Sequence, residues 1–76
     1  MTIEERQREI IGEVIRLRHE QGITQKRLGE LSGVQQPVIA RTEKNTTAPN
    51  LTTLMKLLVP LGRTLAVVPL PREQED

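Results

Sequence analysis

The stretch TQKRLGELSGVQQPVIARTE, residues 24–43, decides how this chain folds. Thr24 is a good helix N-cap, its hydroxyl free to accept an N–H from the first turn, and Ile23 before it can act as a hydrophobic staple. A short helix is expected from about Gln25 to Leu31, burying Leu28 and Leu31. Ser32-Gly33 stops it and Val34 plugs the turn. A further helix follows from about Gln36 to Glu43, with Pro37 tolerated in the first turn because its missing N–H has no partner there anyway. In that helix Val34, Ile39 and Thr42 take inward positions, while Gln35, Gln36, Val38 and Arg41 point outward.

The same punctuation reads outward in both directions. Upstream, Ile10, Ile11, Val14, Ile15 and Leu17 recur at helical spacing between charges, giving a helix from Glu4 to Gln21 that Gly22 ends. Downstream, Lys44 to Pro49 has turn composition, and Asn45 tolerates a left-handed backbone. Asn50 caps a fourth helix carrying Leu51, Leu54, Met55, Leu58 and Leu61 inward, with Pro60 ending or kinking its last turn before Gly62. Thr64-Leu65-Ala66-Val67-Val68 is rich in β-branched residues and followed by Pro69 and Pro71, which predicts a strand within about residues 63–69. One strand cannot satisfy its own backbone, so its ladder partner is expected from another chain. The unbroken apolar run implies burial on both faces. The fold class expected is mainly α: four helices with a C-terminal β-strand that pairs between subunits.

Composition narrows the function. At 76 residues the chain is one small domain, residues 1–76. It has no aromatic residue, which excludes recognition by base stacking or an aromatic cage. It has no cysteine, which excludes a disulfide framework, a thiolate nucleophile and a cysteine zinc site. No signal-peptide order and no run of 18 apolar residues is present, so the chain is expected to be soluble and cytoplasmic, with no membrane partner. A domain this small is marginal alone, which makes a homodimer the natural support. The net charge of +1 is unevenly spread: residues 14–68 carry eight bases against three acids, +5, between ends of −2 each, including an acidic tail at 71–76. That middle permits contact with a polyanion, although a charged helix face can equally be only solvated.

Two short helices joined by a glycine-containing turn have the spacing that a DNA-reading helix-turn-helix requires, residues 24–43 here. Gln35 or Gln36 can bond adenine in bidentate fashion, Arg41 guanine, and Val38 can touch a thymine methyl. The same spacing also suits a small helical protein that interacts through a polar face, and spacing alone leaves both readings open.

Beyond spacing, Arg18 to Glu43 reads R-x-x-x-G-I-T-Q-x-x-L-G-E-L-S-G-V-x-Q-x-x-I-A-R-x-E, followed after a short loop by P-x-L-x-T-L-x-K-L-L-x-x-L-G. Over Arg16 to Gly62 the chain resembles the helix-turn-helix of the phage-repressor (XRE) family. The resemblance implies that Thr24 caps the second helix and that Gln25, with Lys26 beside it, grips a phosphate and braces the recognition helix. It implies base or phosphate contacts from Gln35, Gln36, Val38 and Arg41, and backbone contacts from Lys44, Asn45 and Thr46. Three positions depart from the pattern: Gln35 stands where a serine cap is usual, Thr42 where a larger apolar residue is usual, and Asn45 where glycine is usual. In place of a fifth helix comes Gly62-Arg63-Thr64-Leu65-Ala66-Val67-Val68-Pro69-Leu70. With Gln36-Pro37-Val38-Ile39-Ala40-Arg41, this segment resembles antitoxins of the HigA type and, more distantly, the HipB type.

That resemblance implies a dimer that represses its own operon on a palindromic double-stranded DNA site and neutralises a cognate toxin. A HigB-like ribonuclease is the expected toxin and a kinase toxin the alternative, beside a stand-alone XRE-type regulator with no toxin at all. Dimer contacts are expected from Leu57, Leu58 and Leu61 as an apolar floor and from Thr64, Leu65, Ala66, Val67 and Val68 as the paired strand. Glu5, Glu9 and Glu13 on the first helix are expected to meet a basic toxin, against the alternative of a solvated helix face. No catalytic constellation is expected: His19, the one histidine, sits among charges, Ser32, the one serine, has no base, and no metal or cofactor motif occurs.

Overall fold

The computed structural model describes residues 2–70 as four α-helices and one 3-10 turn. Helix α1 spans Ile3–Glu20. It starts at a capping box that the apolar spacing does not reveal: the Thr2 hydroxyl accepts the Glu5 N–H at 3.1 Å, and the Glu5 carboxylate accepts the Thr2 N–H at 3.2 Å. Helix α2 spans Gln25–Ser32, α3 spans Gln36–Glu43 and α4 spans Leu51–Leu58. The two expected caps are in place: Thr24 accepts the Arg27 N–H at 3.0 Å and Asn50 the Thr53 N–H at 2.8 Å. Pro60 ends the α-helical hydrogen bonding, and the chain tightens into a 3-10 turn, Val59–Leu61, that stops at left-handed Gly62.

The core is purely aliphatic. Val14 and Leu17 of α1, Leu28 of α2, Val34 of the turn, Ile39 of α3 and Leu57, Leu58 and Leu61 around the end of α4 form one buried cluster. Each such side chain contributes roughly 1.5–3 kcal/mol by leaving water. Ile23, Val38, Leu54 and Leu65 pack around its edge, half-buried.

Four expectations need correction. Leu31, Leu51 and Met55 are exposed rather than inward. The buried face of α4 and its 3-10 turn runs through Leu54, Leu57, Leu58 and Leu61, which turns Leu51, Met55 and Val59, spaced four apart, onto the adjoining face. Leu57, Leu58 and Leu61 are 0%, 4% and 1% exposed, so they fill the protomer's own core and offer no floor to a second chain. The third correction concerns Thr64 to Val68: no strand occurs among the described residues, because a single chain has no extended neighbour to receive its N–H and C=O groups. The fourth follows from it. Only Leu65 reaches the core, and Val67 stands fully in solvent, so the run is not buried on both faces. The acidic tail at 71–76 and Pro71 lie outside the described residues. No described helix is long and apolar enough to cross a membrane.

Candidate nucleic-acid interface

Helices α2 and α3 approach closely because residue 29 is glycine. A β-carbon there would lie 3.0 Å from the Val34 carbonyl oxygen and 3.8 Å from Ile39 Cδ1, so any side chain would require the turn backbone to shift by a few tenths of an ångström. The turn between the helices is closed by local bonds. Gly33, at φ 78°, donates its N–H to the Gly29 carbonyl at 2.9 Å, and the Ser32 hydroxyl accepts the Val34 N–H at 3.1 Å. Gln35 takes the N-cap position of α3 in extended conformation without a side-chain cap bond, as its departure from serine implies. Pro37 fits the first turn.

The far end of α3 is held by an ion pair between residues 25 positions apart in the chain. Arg18 of α1 donates from Nε and Nη2 to the two carboxylate oxygens of Glu43, each at 2.8 Å, with both side chains about nine-tenths buried. Its Nη1 donates to the Ile23 carbonyl at 3.0 Å, and Gln25 of α2 donates its amide to Glu43 at 2.9 Å. His19 Nε2 lies 3.1 Å from Arg18 Nη2. Burial alone would push the Glu43 carboxyl up, but hydrogen bonds from Arg18 and Gln25 outweigh it and hold that group below the usual carboxylate range. One buried anion thus ties three helices together. Among the described residues no buried side-chain polar atom is left without a partner.

What this frame presents is a narrow face. Gln36, Pro37 and Arg41 of α3 are exposed, together with Gln35 just before it. Val38 points the other way, half-buried against the core, and Pro37 takes the apolar place on the exposed arc that spacing gave to Val38. Lys44, Asn45 and Thr46 follow, all exposed, with Asn45 left-handed at φ 60°. Thr46 donates both its N–H and its hydroxyl to the Arg41 carbonyl, at 3.1 and 3.0 Å, so this loop also finishes the helix. Lys26 is exposed at the start of α2, whereas Gln25 beside it is half-buried and its amide nitrogen is committed to Glu43. Arg6, Arg16, Arg18 and Arg27 all have carboxylate partners; among the described residues Lys26, Arg41 and Lys44 have none, and neither do Arg8, Lys56 and Arg63 elsewhere. Spacing did not assign roles to Gly29, Arg18 or Glu43, although all three stand in the quoted pattern.

The remaining candidate residues lie elsewhere. Thr64, Ala66, Val67 and Val68 are exposed and Leu65 is half-buried. On α1, Glu5 is engaged in the capping box, Glu9 pairs with Arg6 at 2.9 Å, and Glu13 pairs with Arg16 at 2.6 Å. Hydrogen bonding to the Thr2 backbone lowers the Glu5 carboxyl, and bonding to Arg16 lowers that of Glu13. Among the described residues no group of three or more acidic or histidine side chains is placed to hold a metal ion.

Comparison with known proteins adds three findings. The helix-turn-helix family profile matches residues 14–68. An uncharacterised HTH-type transcriptional regulator of Haemophilus influenzae is 59% identical over 61 residues, 80% of this chain. The matched region is 62% of that relative's length. A solved chain described as a toxin-antitoxin module from Streptococcus pneumoniae superposes with a TM-score of 0.77 at 50% identity, covering 93% of this chain and 84% of that one.

Proposed function

The chain belongs to the helix-turn-helix family, and from that membership we propose that it is a DNA-binding antitoxin, a homodimer in the cytoplasm that represses its own operon and neutralises a cognate toxin. One observation carries the DNA-reading half. Helix α3 is pinned at its start by the Gly29 approach and at its end by the Arg18–Glu43–Gln25 cluster, which leaves Gln36, Pro37 and Arg41 exposed on a fixed frame. Laid in a major groove, Gln36 can bond adenine and Arg41 guanine, each through two hydrogen bonds, while Pro37 offers an apolar contact to a thymine methyl. Lys26 and Lys44, free of carboxylate partners, supply the phosphate contacts that position the helix without reading sequence. On this reading the protein acts by binding.

The antitoxin half is supported by the likeness to the streptococcal module. A ribonuclease toxin of the HigB type is basic, and Glu5, Glu9 and Glu13 on α1 give it an acidic approach. Their existing partners Arg6 and Arg16 would have to share the carboxylates on binding. The description of the Haemophilus relative favours a second reading, a stand-alone regulator. Co-expression with any small basic protein encoded beside it separates the two. The antitoxin reading expects a stable complex that abolishes the toxin's RNA cleavage and a free chain that binds its promoter. Promoter binding with no complex leaves the stand-alone regulator, and failure to bind promoter DNA overturns both.

A further inference from the structure

We propose that the groove between α2 and α4 seats the carboxyl-terminal segment of a second copy of this chain, so that two chains exchange residues 66–70 across a two-fold axis. This rests on the dimeric DNA-reading function and names the surface that makes the dimer. The groove has a volume of about 420 Å³, with Leu31, Met55, Val59 and Pro60 as its apolar wall and Lys56 as its one charge. Leu51 extends the wall along the same stripe of α4, and Leu51 and Val59 are 65% and 62% exposed. Leu51, Met55 and Val59 line one side of the helix rather than scattering singly, an arrangement that suits a contact surface.

The matching half lies on the same chain. Val67, Val68 and Leu70 are 103%, 63% and 71% exposed, and no charge occurs between Arg63 and Arg72. Leu65 packs against its own core and anchors the segment there, while the residues after it stand in solvent. The sequence Val68-Pro69-Leu70-Pro71 places each apolar residue before a proline, which biases both to extended, polyproline-like backbone. With three residues per turn, that conformation sets Val67 and Leu70 on one side. Such a segment docks by side chains rather than by a hydrogen-bonded ladder, and its stiffness lowers the entropy lost on docking.

A second copy is the occupant because one chain carries both halves. In an isologous pair each segment fills the other chain's groove and the contact closes. A toxin seated in the groove would leave the exposed segment uncovered. The contact is smaller than the roughly 20–30 residues a side of a standard interface, so the dimer should dissociate on dilution.

The chain has no cysteine, which makes directed cross-linking clean. Chains bearing only Val59→Cys and chains bearing only Val67→Cys, mixed and mildly oxidised, should form the mixed disulfide dimer in clear excess over either chain oxidised alone. In sedimentation equilibrium the wild type should dimerise. The doubly substituted Met55→Glu/Val59→Glu and Val67→Glu/Leu70→Glu chains should lose the dimer while keeping the wild-type helical circular dichroism, since all four sites are exposed. A monomeric wild type, a Val67→Glu/Leu70→Glu chain that still dimerises, or a disulfide that forms only within the Val59→Cys/Val67→Cys double variant would each overturn the exchange; the last would mean that the segment folds onto its own groove. None of these readouts involves DNA, so an exchange dimer that fails to bind promoter would count against the DNA-reading function alone.

Discussion

Arg41 and Lys44 sit three residues apart at the end of α3 and should fail in different ways. Losing one bidentate base contact costs about 1–3 kcal/mol and relaxes one position of the site, whereas losing a phosphate contact weakens every sequence alike. Arg41→Ala or Gln36→Ala should therefore reduce the ratio of operator to random-DNA affinity; Lys44→Ala should leave that ratio alone and lower the salt slope by about 1. Anisotropy titrations at several salt concentrations distinguish them, and equal loss on all sequences for Arg41→Ala would contradict its base-reading role. The Arg18–Glu43 pair behaves as a buried pair, so Arg18→Met alone should cost about 3–5 kcal/mol by stranding a carboxylate, and Arg18→Met/Glu43→Met together much less. Because the Glu43 carboxyl is lowered in the fold, its contribution is complete above the ordinary carboxylate value of about 4.3 and is lost as pH falls through the lowered one. Urea unfolding between about pH 5 and 3 should show a shallower loss of stability in Glu43→Gln than in the wild type. Sequence spacing could not reveal this pair: its partners are 25 residues apart, and local periodicity carries no information about what meets across the fold.

Two glycines separate propensity from packing at the level of the helix. Gly12 lies on the exposed face of α1 with nothing within 4 Å of an added β-carbon, so Gly12→Ala should stabilise by about 1 kcal/mol and raise Tm by about 4–8 °C. Gly29→Ala gains the same propensity, but its methyl meets the Val34 carbonyl at 3.0 Å, a backbone atom that moves only if the turn and the start of α3 move with it. Thermal melting should show no gain for Gly29→Ala, and DNA affinity should fall by more than stability does; a Tm rise matching that of Gly12→Ala would contradict the close-approach argument. Elements bounded by chemistry were legible in the sequence: Thr24, Gly33, Pro37 and Asn50 each satisfy or break a backbone bond locally, and α3 spans the residues they imply. Faces were less legible. Residues 51–61 carry more apolar side chains than one helix face can bury, so the pattern could not tell which of them the core would take.

For the whole molecule, the proposed two-fold pairing would convert one weak reading helix into a specific pair. Helix-turn-helix dimers place their recognition helices one DNA turn apart, roughly 34–36 Å, so a two-fold pair of these chains would require a palindromic operator. The strand expected at 63–69 is absent among the described residues, because a run of Thr, Leu, Ala and Val signals extended backbone but not what, if anything, pairs with it. The most direct measurement is methylation interference on the native promoter, which marks guanine N7 in the major groove and adenine N3 in the minor groove. Two patches of guanine N7 interference are expected about one turn apart on one face of the duplex, with Arg41→Ala losing the effect at one guanine in each patch. Interference at adenine N3 alone, or a guanine pattern that Arg41→Ala leaves unchanged, would show that α3 does not read the major groove.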